Sequence, residues 1–302
     1  MIISVITPSF NSGDFIERAI RSVIEQDYPH WEHIIVDGGS TDGTLDILKK
    51  YPHLRWTSET DKGQADAMNK GFAYSKGDII VYLNADDYFF SSAFSAVIPE
   101  FIKGAHFVVG NILIKSERLG GEMLNTPRVT LEGMLRHWEP NAFCHNPVGY
   151  FYLREVQELF PFNSTNQSTM DLEFLLETSA YYPFVKIEYT LGCYVDSLNT
   201  KTHLTQIKED YWQPATFHYV DKYLTLLDQE KRRRFLIDRE TGYATMRLQV
   251  KNRQHEIERE LYLNESNNIP IKLHSLYCYL LDKFKRIARK AYRYLLRTDR
   301  KT

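Results

Sequence analysis

Four short apolar runs in the first 87 residues each close on polar or turn-forming residues, and helical spacing returns after each. The most constraining is Asp78-Ile79-Ile80-Val81-Tyr82-Leu83-Asn84-Ala85-Asp86-Asp87. An apolar run without polar alternation is how a strand buried on both faces of a parallel sheet reads. The adjacent carboxylates that end it repel each other unless a cation, a donor or a proton intervenes. They suit a turn or a helix cap as well as a site, because Ser91-Ser92 and a helical stretch follow. The other strand ends bear on that choice.

Ile2 to Thr7 reads as the first strand, and Pro8-Ser9-Phe10-Asn11-Ser12-Gly13 as a loop whose Asn11 or Ser12 can cap a helix. Phe15, Ile16, Ala19, Ile20, Val23 and Ile24 then share one helical face. His33 to Val36 is a second strand ending at Asp37, and Gly38-Gly39-Ser40-Thr41-Asp42-Gly43 is a tight loop. Leu54 to Thr57 is a third strand, and Ala65 to Tyr74 a helix that Gly77 helps to end. Strands alternating with helices in this way predict right-handed βαβ units on a parallel sheet. Ligands bind beyond the carboxyl ends of such strands. Thr7-Pro8, Asp37, Asp86-Asp87 and the loop Glu59-Thr60-Asp61-Lys62-Gly63 are therefore expected at one crevice, where several polar strand ends favour an active site.

Later elements are less sharply marked. Phe94 to Ile102 reads as a helix, His106 to Ile114 as a strand, Leu119 to Val129 as a flexible loop, and Leu131 to Trp138 as a short helix. Val148 to Leu153 and Val185 to Tyr189 read as strands, with a helix from Met170 capped by Ser168 or Thr169. From about Thr205 the chain turns to charged, aromatic helices, and Lys231-Arg232-Arg233-Arg234 reads as a solvated face.

The net charge of −2 conceals a +8 segment over residues 271–302, with ten Lys/Arg against two Asp, so residues 1–270 carry −10. Basic residues confined to one end argue against a nucleic-acid binder. Apolar residues at helical spacing from Leu273 to Ala288 make this segment either a helix that meets an anionic membrane surface or one that packs on the domain. The three cysteines, Cys144, Cys193 and Cys278, have no metal-type spacing and suit reduced thiols of the cytoplasm. No signal-like segment or run long enough to span a bilayer is read in the chain, so the expected location is cytoplasmic, with a peripheral contact at the inner face of the cell membrane through 271–302.

Seven segments, in order, resemble a family 2 glycosyltransferase of the GT-A fold. They are Thr7-Pro8-Ser9-Phe10-Asn11, Ser22-Val23-Ile24-Glu25-Gln26-Asp27-Tyr28-Pro29, Val36-Asp37-Gly38-Gly39-Ser40-Thr41-Asp42-Gly43-Thr44, Glu59-Thr60-Asp61-Lys62-Gly63, Ala67-Met68-Asn69-Lys70-Gly71, Gly77-Asp78 and Asn84-Ala85-Asp86-Asp87. The wording is closest to bacterial enzymes of O-antigen and surface-polysaccharide synthesis. The resemblance implies an α/β, Rossmann-like GT-A fold: a mostly parallel sheet flanked by helices, with a C-terminal helical extension. It implies a domain over 1–204, divided into a nucleotide half (1–90) and an acceptor half (91–204), then a helical region over 205–302.

The resemblance also implies roles. Thr7, Pro8, Asn11, Asp37, Asp61, Asn84, Ala85 and Asp86 would bind the nucleotide, with Asp37 and Asp61 beside the base. Asp86 would be the metal-binding acid of the family's DXD motif, supported by Asp87, for Mg²⁺ or Mn²⁺. His203 is a weaker metal ligand. Asn84 departs from the motif, where the family has Asp, and brings no charge. Asp171 would be the general base, with Glu173 the alternative, and His145 would sit near the acceptor wall. The implied reaction is inverting transfer of a hexosyl or N-acetylhexosaminyl group from a nucleotide-sugar, UDP-linked, to a glycan or a polyprenyl-diphosphate-linked acceptor. The alternatives are a catalytically weak or inactive GT-A relative that binds nucleotide, and another phosphate-handling α/β enzyme. The loop after the first strand is not the Gly-rich loop of a nucleotidyltransferase, and Thr7 stands where a phosphatase needs an acid.

Overall fold

The computed structural model describes residues 1–116, 121–166, 168–197 and 218–245. The chain divides into Met1–Lys251 and Asn252–Thr302, and every described residue lies in the first unit. His203, Cys278 and the basic segment 271–302 fall outside the described residues.

The first half follows the sequence closely. β1 (Ile3–Ser9) is buried along its whole length and sits between β2 (Trp31–Asp37) and β4 (Ile79–Tyr82), with β3 (Arg55–Ser58) outside β2. All three pairings are parallel, so all four strands point their carboxyl ends the same way. α1 (Ile16–Ile24) buries Ile16, Ala19, Ile20 and Val23, while Ile24 is exposed. Its start is held by the Ser12 carbonyl, which accepts from Phe15 and Ile16 N–H, and no side chain caps it. α2 (Thr44–Leu48) and α3 (Gln64–Tyr74) complete the crossovers.

Beyond β4 the sheet becomes mixed. β5 (Tyr88–Phe89) pairs antiparallel with β9 (Phe184–Asp196), and α4 (Ala93–Ile102) leads to β6 (Phe107–Ser116). β6 runs parallel to β9 and antiparallel to β8 (Tyr150–Leu153), and β8 closes antiparallel on β4. The α/β class expected from the sequence holds, with the parallel pairs concentrated in the first half. The segment expected as a loop instead contributes β7 (Gly121–Asn125), which pairs antiparallel with β6. Glu122, Met123 and Leu124 are all exposed, so this strand has no buried face to impose alternation on its sequence. β9 is thirteen residues long, far beyond Val185 to Tyr189, and its register with β6 shifts around Asn111.

Aromatic packing holds the second half. Phe107 stacks on Phe184 at 3.9 Å, and Phe162 on Phe174 at 4.4 Å. Gln157, on α6 (Arg154–Leu159), accepts from the Tyr152 hydroxyl and donates to that of Tyr82, so α6 is pinned to both β8 and β4. α5 (Leu131–Leu135) and α7 (Met170–Ser179) lie over this core. α8 (Val220–Leu224) and the helical residues 229–245 join it through Tyr219, Val220, Tyr223, Leu224, Phe235 and Tyr243. No helix among the described residues is long and apolar enough to cross a membrane.

Candidate active site

The carboxyl ends of β1, β2 and β3 build one corner of the crevice. Asp37 closes β2 in register with Ser9 of β1. Its buried carboxylate holds its own loop: Oδ2 accepts from Gly39 N–H (3.1 Å), Ser40 N–H (2.9 Å) and the Ser58 hydroxyl (2.7 Å), and Oδ1 from the Ser40 hydroxyl. Each carboxylate oxygen offers about two acceptor sites. Oδ2 is therefore full, and only Oδ1 has capacity left for a ligand N–H.

Asp61 lies against this loop. A Cβ at Gly38 would stand 2.9 Å from Asp61 Oδ2 and 3.3 Å from Phe10 Cδ2, so a side chain there would displace one or both neighbours. Asp61 Oδ1 accepts from Gly63 N–H at 2.8 Å. Phe10 is 64% exposed although it directly follows a buried strand. An exposed aromatic ring beside a carboxylate offers a nucleobase a stacking face and an acceptor. Phe10 has no sequence-level role beyond its place in the loop, and its exposure is what identifies it.

Other residues expected at the nucleotide tie the strand ends and loops together. Thr7 is buried, and its hydroxyl is hydrogen-bonded to His33 Nε2 at 2.9 Å inside the sheet. Pro8 is buried as well, while the buried Ser9 hydroxyl has no partner. Asn11 takes a left-handed φ of 47° and ties two loops together: its N–H donates to Ser40 Oγ (2.7 Å), and its Oδ1 accepts from Thr41 N–H (3.0 Å). Asn accepts that backbone region better than most residues.

The turn after β4 forms the second corner. Ala85 belongs to the same apolar cluster as Ile16, Ile20 and Ile35. Asn84 is used on both sides, accepting from Gln64 Nε2 at 2.9 Å and donating to Asp87 Oδ2 at 3.0 Å. Asp87 is fully buried, and its Oδ2 also accepts from Asn146 Nδ2 (2.7 Å) while Oδ1 accepts from Val195 N–H (2.9 Å). Its carboxylate thus anchors the turn after β4 to β9 and to the segment before β8. Burial raises the pKa of Asp86, and Arg18 opposes the shift. Burial, then the charge of Asp86, raises that of Asp87 further. Arg18 donates to the Asp86 carbonyl at 2.7 Å and lies 5.1 Å from the Tyr88 ring centre, bringing a cation to this corner that the sequence did not single out.

The acceptor half supplies Asp171 in the first turn of α7, where its Oδ1 accepts from the Tyr150 hydroxyl at 2.9 Å. Glu173 is engaged elsewhere, accepting from Asn163 Nδ2 (3.2 Å) and Asn166 Nδ2 (2.7 Å). His145 is exposed, with its ring 4.4 Å from that of Phe143.

Among the described residues, no group of three or more His, Cys, Asp or Glu side chains could hold a metal ion by itself. The residues present fit a different arrangement. Mg²⁺ and similar cations are often held by one or two carboxylates together with substrate phosphates and water. Asp86 is one half-buried carboxylate in the turn after β4, and that suits a cation that enters with a diphosphate.

A parallel βαβ half that continues into a mixed sheet, with an acid-bearing turn after the fourth strand, is the arrangement of the GT-A glycosyltransferases. The chain belongs to glycosyl transferase family 2, whose family profile matches residues 4–160. TuaG of Bacillus subtilis, named as a teichuronic acid biosynthesis glycosyltransferase, is 45% identical over 92 residues, or 28% of this chain and 36% of that protein. WfgD of Escherichia coli, a UDP-Glc:alpha-D-GlcNAc-diphosphoundecaprenol beta-1,3-glucosyltransferase, is 28% identical over 141 residues, covering 45% and 56%. The chain thus spans about a third to just over half of the length of these relatives. Among solved structures, Staphylococcus aureus TarS 1-349 in complex with UDP-GlcNAc has a TM-score of 0.61 at 18% identity, covering 77% of this chain and 69% of that one. The mannosyltransferase PcManGT of Pyrobaculum calidifontis, in complex with GDP-Man and Mn²⁺, has a TM-score of 0.53 at 16% identity, covering 82% and 84%. Both likenesses concern the fold.

Proposed function

We propose that this chain is an inverting, metal-dependent glycosyltransferase acting in bacterial surface-polysaccharide synthesis. It moves a hexosyl or N-acetylhexosaminyl group from a nucleotide-sugar, with UDP as the nucleotide, to a glycan or a lipid-linked acceptor. The observation that carries this reading is the convergence of Phe10, Gly38 and Asp61 at one end of the parallel strands that present Asp86 at the next. The names of TuaG and WfgD support the polysaccharide and lipid-linked acceptor classes.

In this reading the base stacks on Phe10 and donates an N–H to Asp61 or to the remaining site on Asp37. Mg²⁺ or Mn²⁺, bound with the diphosphate through Asp86, would neutralise the charge that builds on the leaving group. Arg18 adds a second positive group at that corner. The acceptor hydroxyl oxygen attacks the anomeric carbon on the face opposite the diphosphate. A new glycosidic C–O bond forms as the bond from the anomeric carbon to phosphate oxygen breaks, and its electron pair leaves with UDP. The acceptor proton passes to Asp171, which the Tyr150 hydroxyl orients. Attack from the opposite face inverts the anomeric configuration. Residues 271–302 would hold the protein against anionic lipid, near a lipid-linked acceptor.

A screen of UDP- and GDP-sugars for Mn²⁺-dependent release of nucleoside diphosphate tests the reading. Release from at least one UDP-sugar is expected. Nucleotide binding without release from any donor would favour an inactive relative instead.

A further inference from the structure

The Asp87 carboxylate joins the two halves of the molecule. Asn84 donates to it from its own turn, while Asn146 and Val195 donate from the acceptor half. Asn146 is itself fixed, because its Oδ1 accepts from Val148 N–H at 2.9 Å and so starts the 3-10 turn Pro147–Gly149. That turn is tightly seated: a Cβ at Gly149 would lie 2.4 Å from Cys144 Sγ and 2.5 Å from Ile112 Cγ2. It runs directly into β8, whose first residue, Tyr150, donates to Asp171. Residues 146–150 therefore form a short, pinned link from the neighbour of Asp86 to Asp171.

We infer that Asn146 is a positioning residue, whose amide fixes the spacing between the diphosphate-binding Asp86 and the base Asp171 by holding Asp87. This rests on the transferase reading. The same geometry accounts for Asn84, where the family motif has an acid. Its amide N–H is a donor to a buried carboxylate 3.0 Å away, and an Asp there would set two carboxylates against each other.

The variant N146D separates the contacts, because it keeps an acceptor for Val148 N–H but turns an oxygen toward Asp87. The assay is Mn²⁺-dependent UDP release from UDP-glucose and UDP-N-acetylglucosamine, with UDP affinity measured by calorimetry. A misplacement near 1 Å costs on the order of 10²-fold. The kcat of N146D should fall by about that factor, while the donor KM and UDP Kd stay within about threefold. A kcat for N146D within about twofold of wild type, or an equal loss of UDP affinity, overturns the inference. Should N146D not fold, N146S keeps a hydroxyl for Val148 N–H and is judged by the same criteria. A wild-type protein that turns over no nucleotide-sugar sinks the transferase reading and the inference with it. An active wild type with an unaffected N146D sinks the inference alone.

Discussion

The Tyr150 hydroxyl donates to Asp171 Oδ1 at 2.9 Å, across the step from the first residue of β8 to the first turn of α7. Tyr150 is fully buried, and burial followed by the Asp171 charge pushes its pKa well above the usual tyrosine range. It therefore stays protonated at neutral pH and acts as a fixed donor. Asp171→Asn should leave UDP binding intact and lower turnover by about 10²–10⁴-fold, the contribution of a general base. Tyr150→Phe removes only the orienting bond and should cost less than Asp171→Asn. Steady-state UDP release measures both, and unchanged turnover in Asp171→Asn would move the base to Glu173.

Asp86 and Asp87 are neighbours with opposite expected phenotypes. Asp87→Ala leaves the Asn84 and Asn146 amides and the Val195 N–H without their acceptor. Leaving a buried donor without its acceptor costs about 1–3 kcal/mol for each group. A large fall in the urea midpoint is the expected result. Asp86→Ala should keep its midpoint close to wild type and lose metal-dependent turnover. Equal stability losses would contradict this division of labour between the two carboxylates.

His33 gives a pH dependence of definite sign. It is fully buried, and burial pushes its pKa down to about 3. In the unfolded chain its pKa is about 6.5. The unfolded state therefore binds the extra proton, and stability that is complete above pH 6.5 falls as the pH drops toward 3. Between pH 7 and pH 5, wild type should lose about 2 kcal/mol relative to His33→Gln. Urea unfolding of the two proteins at both pH values measures the difference. A pH-independent difference would mean that the imidazole takes up a proton inside the fold.

Phe10 is the proposed platform for the base. Stacking of a base on an aromatic side chain is worth about 1–3 kcal/mol. Phe10→Ala should therefore weaken UDP binding by roughly tenfold or more, with little effect on the melting temperature because the ring is already exposed. Calorimetry reads the affinity, and unchanged binding would place the base elsewhere.

The first half of the fold was legible because its strands are buried on both faces and end on turn residues. Ile3 to Ile6 and Ile79 to Val81 tolerate nothing polar but the small Ser4, and the sequence shows it. β7 was hidden because an exposed strand leaves no periodic trace, and α6 because six residues are too few to show one. At the site, the sequence pointed to Asp37, Asp61, Asp86 and Asp171 but could not say which way each carboxylate faces. Asp37 and Asp87 accept from their own loops and neighbouring strands, whereas Asp61 lies beside an exposed ring. Those differences arise from hydrogen bonds to residues far apart in sequence, such as Asp37 with Ser58 and Asp87 with Asn146 and Val195. Phe10 and Arg18 were missed for a related reason: exposure and loop contact are properties of the folded crevice.

Calorimetric titration of UDP, with and without Mn²⁺, into wild type and Asp86→Ala tests whether Asp86 binds a cation together with the diphosphate. Wild type is expected to bind UDP, and more tightly with Mn²⁺, whereas Asp86→Ala should lose the Mn²⁺ dependence. Absence of UDP binding to wild type at millimolar ligand, or an Mn²⁺ effect that survives in Asp86→Ala, would contradict it.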